Sequence, residues 1–160
     1  MASGDSFYTL AHELGHWLED NQALIKIKAL EFLNRRRQKG EKPVRLIDVY
    51  PRSSYHKGEM AIKDKFDNAY MGKLYFVNGT TAGMKDVNAT DDYVTPSIVE
   101  GTEVVSMGIE AYLRNPAAFA MLDPDYFNFI YALLRGFYHC LLYTSPSQRD
   151  RTRSRMPSYA

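Results

Sequence analysis

The sequence predicts an α+β fold that is mainly helical, built as one domain over residues 1–139 and followed by a tail over 140–160. Three observations carry this. Apolar residues recur at three- and four-residue spacing in several separate stretches, the signature of helices with one buried face. A single run, residues 70–77, is rich in aromatic and aliphatic residues and ends at Asn78-Gly79, a strong turn dipeptide, so it reads as a strand. Finally, aromatic residues make up 13% of the chain. That many rings need a core, which argues against disorder over most of its length.

The elements follow in order. Residues 6–20 form a predicted helix on Phe7, Leu10, Ala11, Leu14, Trp17 and Leu18, with Asp5 or Ser6 as N-cap and Asn21 at its end. Leu14 and Trp17 read as core packing. A second helix over 22–38 carries Leu24, Ile25, Ile27, Ala29, Leu30 and Leu33. It closes on Arg35, Arg36, Arg37 and Lys39 before Gly40, read as a solvated basic helix end. Residues 42–65 are polar, with Pro43 and Pro51, and read as loop with short extended pieces. After the strand, 80–96 is polar and reads either as the second arm of a small β-hairpin or as an irregular excursion. A third helix covers 100–114, and two shorter ones, 116–121 and 124–134, each open on a proline behind Asn115 or Asp123 as cap.

Composition narrows the function. Net charge is +1, but the tail carries Arg149, Arg151, Arg153 and Arg155 against Asp150, so the remainder is −2 and offers no electrostatic case for nucleic acid. The single cysteine, Cys140, excludes an intramolecular disulfide and a Cys-x-x-Cys metal cluster. No apolar run approaches the roughly 18 residues a membrane span requires, and the opening residues lack a secretory signal. The expected setting is cytoplasmic, or within a particle assembled there. The tail has no periodicity and nothing to bury; its wording resembles a translated sequencing adapter, and it is set aside from the fold.

The chemistry is concentrated at Ala11-His-Glu-Leu-Gly-His-Trp17. His12 and His16 lie four apart on a predicted helix, so both imidazoles project from one face and can share an ion. Glu13 follows the first histidine, where its carboxylate can take a proton from water activated by zinc and pass it to a leaving amine. Zn²⁺ is favoured because two imidazoles and a carboxylate suit it. Two histidines leave the protein set of a catalytic zinc site one ligand short. Asp20 cannot be that ligand, since one straight helix cannot wrap three such residues around an ion. His56 sits in a predicted loop and His139 abuts the tail. A carboxylate from another helix remains, with Glu103 the first candidate and Glu110, two turns on, the alternative.

Gly101-Thr-Glu-Val-Val-Ser-Met-Gly108 resembles the Asn-Glu-x-x-Ser-Asp element of thermolysin-like gluzincins, with Glu103 and Ser106 matching, Thr102 in place of Asn and Met107 in place of Asp. The chain does not continue in the metzincin pattern, whose Gly and His positions are Glu19 and Gln22. Together with Phe7-Tyr-Thr-Leu-Ala-His-Glu-Leu-Gly-His-Trp-Leu-Glu19, Tyr70-Met-Gly-Lys-Leu-Tyr75 and Asp123-Pro-Asp-Tyr-Phe-Asn-Phe129, these segments resemble the zincin-like domain of phage minor head (Mu F-like head morphogenesis) proteins, over roughly residues 6–136.

The resemblance implies a zinc metallopeptidase with ligands His12, His16 and Glu103, a peptide or protein substrate, and phage head or portal proteins as partners. Nucleic acid and membrane are not expected partners. It also implies a small sheet ahead of the active-site helix, so the chain is expected to be N-terminally truncated. Tyr70, Tyr75 and Tyr112 are candidates for stabilising the transition state, against aromatic packing as their ordinary role. Two rival functions stand beside hydrolysis: a virion structural module stabilised by zinc, and a nucleic-acid-binding piece that rests only on the tail.

Overall fold

The structure, a computed structural model, describes residues 4–38, 40–77 and 94–136. Among these the chain is a mainly helical α+β fold of six helices and a four-stranded antiparallel sheet. Helices α1 (Gly4–Asn21) and α2 (Ala23–Arg36) come first. The predicted loop region then supplies strand β1 (Val44–Arg45), the single-turn helix α3 (Leu46–Val49) and strand β2 (Met60–Ala61). A 3₁₀ turn (Ala69–Gly72) leads into β3 (Lys73–Phe76), and β4 (Val99–Thr102) precedes α4 (Val104–Arg114), α5 (Pro116–Leu122) and α6 (Pro124–Leu134). The sheet order is β1-β2-β3-β4, with Met60 opposite Leu74 and Leu74 opposite Thr102.

Helix α1 departs from its predicted burial. It begins at Gly4, so Asp5 and Ser6 lie within its first turn instead of capping it. It ends at Asn21, whose side-chain amide donates to the Trp17 carbonyl. Phe7, Leu10, Leu14 and Trp17 are each at least half exposed, so Leu14 and Trp17 are not core residues. The buried stripe is Ala11, Gly15 and Glu19, four residues apart. The physical reason is the closeness of α4: a β-carbon on Gly15 would lie 2.4 Å from the Ser106 Cα. Backbones can meet at that range only through small residues, so α1 turns its small stripe inward and its bulky one out.

Two boundaries differ from the predicted ones. Residues 70–72 are not strand. The Asn68 side chain accepts from the Tyr70 amide and starts a 3₁₀ turn, and Gly72 packs so tightly under the Ile62 carbonyl that a β-carbon there would fall 1.9 Å from it. Residues 100–102 are not helix. They belong to β4, where Gly101 and Thr102 pair with Tyr75 and Leu74 of β3, and even the Glu103 amide still donates to the Lys73 carbonyl, at 3.1 Å. Helix α4 starts only after the Thr102 hydroxyl has accepted from the Val104 amide. Asn115 and Asp123 do cap α5 and α6, accepting from the Ala118 and Tyr126 amides.

The main core joins Ile25, Ala29, Leu30, Phe32 and Leu33 of α2 to Leu74, Phe76 and Val99 of the sheet and to Val104, Val105, Phe129 and Ile130 of the later helices. Phe32 and Phe129 stack at 4.5 Å. The basic end of α2 is not wholly solvated. The Arg36 guanidinium is nearly buried, hydrogen-bonded to Asp64 at 2.7 Å and Asp123 at 2.8 Å, and lies over the Phe32 and Phe66 rings. Two carboxylates and two ring faces make burial of that charge tolerable. Gly40 has φ +80° but stands beyond the helix, whose C-cap is Arg37. Lys39, the Asn78-Gly79 turn, most of the polar stretch over 80–96, His139, Cys140 and the tail lie outside the described residues. Among the described residues no helix is long and apolar enough to cross a membrane.

Candidate metal centre

The close approach of α1 and α4 brings one face of α1 against the first residue after β4. His12 and His16 project from α1 on either side of the Gly15 contact, and Glu103 sits at the N-cap of α4. Their atoms meet in a near-equilateral triangle. His12 Nε2 and His16 Nε2 are 3.2 Å apart, and each lies 3.3 Å from Glu103 Oε2. These three residues could hold a metal ion. The fit is quantitative: bonds of about 2.0–2.1 Å at tetrahedral angles put neighbouring donors about 3.3–3.4 Å apart. Two imidazoles and one carboxylate are also a common donor set for zinc, with a fourth position left over.

Glu103 is fully buried, and its carboxylate is almost completely occupied. The hydroxyls of Tyr70 and Tyr75 donate to Oε1 at 2.7 and 2.5 Å, and Ser106 Oγ donates to Oε2 at 2.7 Å. A carboxylate has about four lone-pair directions; three are filled here, and the fourth, on Oε2, faces the histidines. Burial alone raises a carboxyl pKa, but the hydrogen bonds from His16, Tyr75, Ser106 and Tyr70 outweigh it and hold Glu103 down at about 2. His16 is raised, mainly by its hydrogen bond to Glu103 against the opposing effect of burial. Burial and the Glu103 carboxylate raise both tyrosines, which keeps them neutral donors. Lys73 braces the pair, its ammonium 5.0 Å from the Tyr70 ring centroid and 4.6 Å from that of Tyr75, while its charge pairs with Glu59.

The other sequence candidates fall in different places. Glu13 is exposed and lines a cavity of about 300 Å³ with His16, Asp20, Tyr75, Glu100 and Gly101. Glu110 does not join the triangle; its Oε2 lies 3.2 Å from the opposite ring nitrogen of His12, Nδ1. Tyr112 stacks on Phe127 at 5.6 Å, as ordinary packing. His56 lies among loop residues, where its Nδ1 accepts from the Gly58 amide.

Two features escape the sequence reading. One is the convergence of Tyr70 and Tyr75 on a single oxygen, which depends on the 3₁₀ turn that separates them from a continuous strand. The other is Glu19, which is 1% exposed. Its Oε2 accepts from the Thr102 hydroxyl at 3.0 Å, while Oε1 has no hydrogen-bond partner among the described residues. Burial raises its pKa to about 7 against the lowering effect of Thr102. Its place four residues after Gly15 was the available signal.

Fold and site together define a mainly helical α+β protein with a two-histidine, one-glutamate cluster able to hold a metal ion. Comparison of the chain with protein-family models, curated proteins and solved structures finds no match.

Proposed function

We propose that the protein is a zinc-dependent peptidase of the gluzincin type, with His12, His16 and Glu103 as ligands and Glu13 as general base. The observation that carries this is the triangle of donor atoms at 3.2–3.3 Å, opening through His16 onto the cavity that Glu13 also lines.

Bound zinc supplies a Lewis acid that acidifies water and polarises a carbonyl. The remaining steps belong to this chain's side chains. Glu103, held on both oxygens by Tyr70, Tyr75 and Ser106, would offer Oε2 to such an ion with little reorganisation. Glu13 takes a proton from the attacking water. As the new C–O bond forms and the C–N bond breaks, it returns that proton to the departing amine. Tyr75 lines the cavity, but its one hydroxyl proton is given to Glu103 Oε1, so its part is to hold that carboxylate in place.

The phage-head setting, with head or portal proteins as partners and a cytoplasmic or virion-associated location, follows from the resemblance of the motifs. The test is Glu13→Gln in the full chain, assayed on a mixed peptide library with zinc content measured alongside. Zinc content is expected to stay at the parent level while turnover falls about 10²–10⁴-fold. Undiminished turnover overturns the mechanism.

A further inference from the structure

We infer that Glu110 is a positioning residue for His12 and that Arg114 holds it in place, so that a two-rung brace across α1 and α4 aims one lone pair at the metal centre. The inference rests on the reading of His12, His16 and Glu103 as metal ligands.

The two ring nitrogens of an imidazole point in different directions, and in the neutral ring one carries the proton while the other carries the lone pair. His12 Nε2 belongs to the triangle, 3.3 Å from Glu103 Oε2. Nδ1 lies 3.2 Å from Glu110 Oε2. A carboxylate on Nδ1 favours a proton there, which leaves Nε2 free to bind an ion. The same geometry excludes Glu110 as a ligand to that ion, because it sits at the nitrogen turned away from it.

Glu110 is itself held. Its other oxygen, Oε1, accepts from Arg114 Nε at 2.8 Å, one helical turn further along α4. An exposed ion pair between helix neighbours is weak by itself. Here the Arg114 guanidinium also lies over the Tyr8 ring, 4.2 Å from its centroid. Tyr8 precedes His12 by one turn of α1, so Tyr8 and His12 face Arg114 and Glu110 across the helix pair as two rungs. Arg114 can therefore fix the Glu110 rotamer more firmly than its exposure suggests.

The test uses the full chain with Glu110→Gln, Glu110→Leu, Arg114→Met and, for reference, Glu103→Ala. Zinc affinity is measured by chelator competition, and the His12 tautomer by ¹⁵N NMR of the metal-free protein at a pH where the ring is neutral. Glu110→Leu is expected to weaken zinc about 10–100-fold and to mix the His12 tautomers. Glu110→Gln, whose amide oxygen still accepts from Nδ1, is expected to lose less, and Arg114→Met a few-fold. Unchanged affinity and an unchanged tautomer in Glu110→Leu overturn the inference. So does a complete loss of zinc in Glu110→Gln equal to that of Glu103→Ala, which makes Glu110 a ligand instead. If the parent binds no zinc, the metal-site reading fails and the tautomer alone decides whether Glu110 orients the ring. If Glu110→Leu does not fold, the Gln and Arg114 variants decide.

Discussion

Gly15 of α1 faces Ser106 of α4 so closely that a β-carbon on the glycine would meet the serine Cα at 2.4 Å and its amide nitrogen at 2.8 Å. This contact sets the distance between the helix that carries both histidines and the helix that Glu103 caps. Gly15→Ala should therefore act at the site as well as on the fold. Alanine favours a helix interior over glycine by about 1 kcal/mol, but overpacking against backbone costs about 1–3 kcal/mol, and the backbone here cannot swing aside as a side chain can. Urea unfolding is expected to show net destabilisation, and zinc binding is expected to weaken. A Gly15→Ala protein more stable than the parent contradicts the helix packing described.

Tyr70 and Tyr75 share one acceptor, Glu103 Oε1. Hydrogen bonds to a charged group are worth about 1.5–3 kcal/mol each. Tyr70→Phe and Tyr75→Phe should each lower metal-free stability at pH 7 by an amount of that order. The double variant leaves Oε1 without a donor and should cost more than the sum of the single changes. The pH sign follows from Glu103. Its folded pKa of about 2, below the ordinary 4.5, contributes stability that is present above pH 4.5 and lost as pH falls toward 2. Losing the tyrosine hydroxyls raises the folded value, so the acid unfolding limb of each variant should move to higher pH.

Glu19 has the opposite sign. Its folded pKa, raised from 4.5 to about 7, means that the folded state binds more protons than the unfolded state between those values. Stability of the metal-free protein should fall as pH rises from 4.5 through 7, and the penalty should be complete above 7. For a group this buried the effect is on the order of 3 kcal/mol. Glu19→Gln, which still accepts from Thr102, should flatten that slope, leaving the part that the raised His16 contributes above pH 6.5, and be the more stable protein at pH 8. Unfolding of both proteins at pH 5.5 and 8 checks this, and parallel pH profiles would contradict it.

The helices were legible because their periodicity and caps are local: α6 begins and ends where Pro124 and Leu134 were expected, and Asn115 and Asp123 cap as read. Direction of burial was not legible in α1. Phe7, Leu10, Leu14 and Trp17 form the stronger apolar stripe, yet the Gly15–Ser106 approach turns the weaker, smaller one inward. The start of α4 was likewise hidden. Val99 to Thr102 can be read as helix or strand, and pairing with β3, a contact between distant parts of the chain, decides it. At the site, the spacing of His12 and His16 placed both on one helix face. No local pattern could show that Glu110 meets His12 Nδ1 or that two tyrosines meet on Glu103 Oε1, because those contacts join elements tens of residues apart.

On the proposed reading, His12, His16 and Glu103 bind one zinc ion together. The most direct measurement is the metal content of the purified full chain beside His12→Ala, His16→Ala and Glu103→Ala, each checked for retained helix content. About one zinc per chain is expected in the parent, with its loss in all three variants. A parent without zinc, or a Glu103→Ala protein that keeps its zinc at the parent affinity, would contradict that reading.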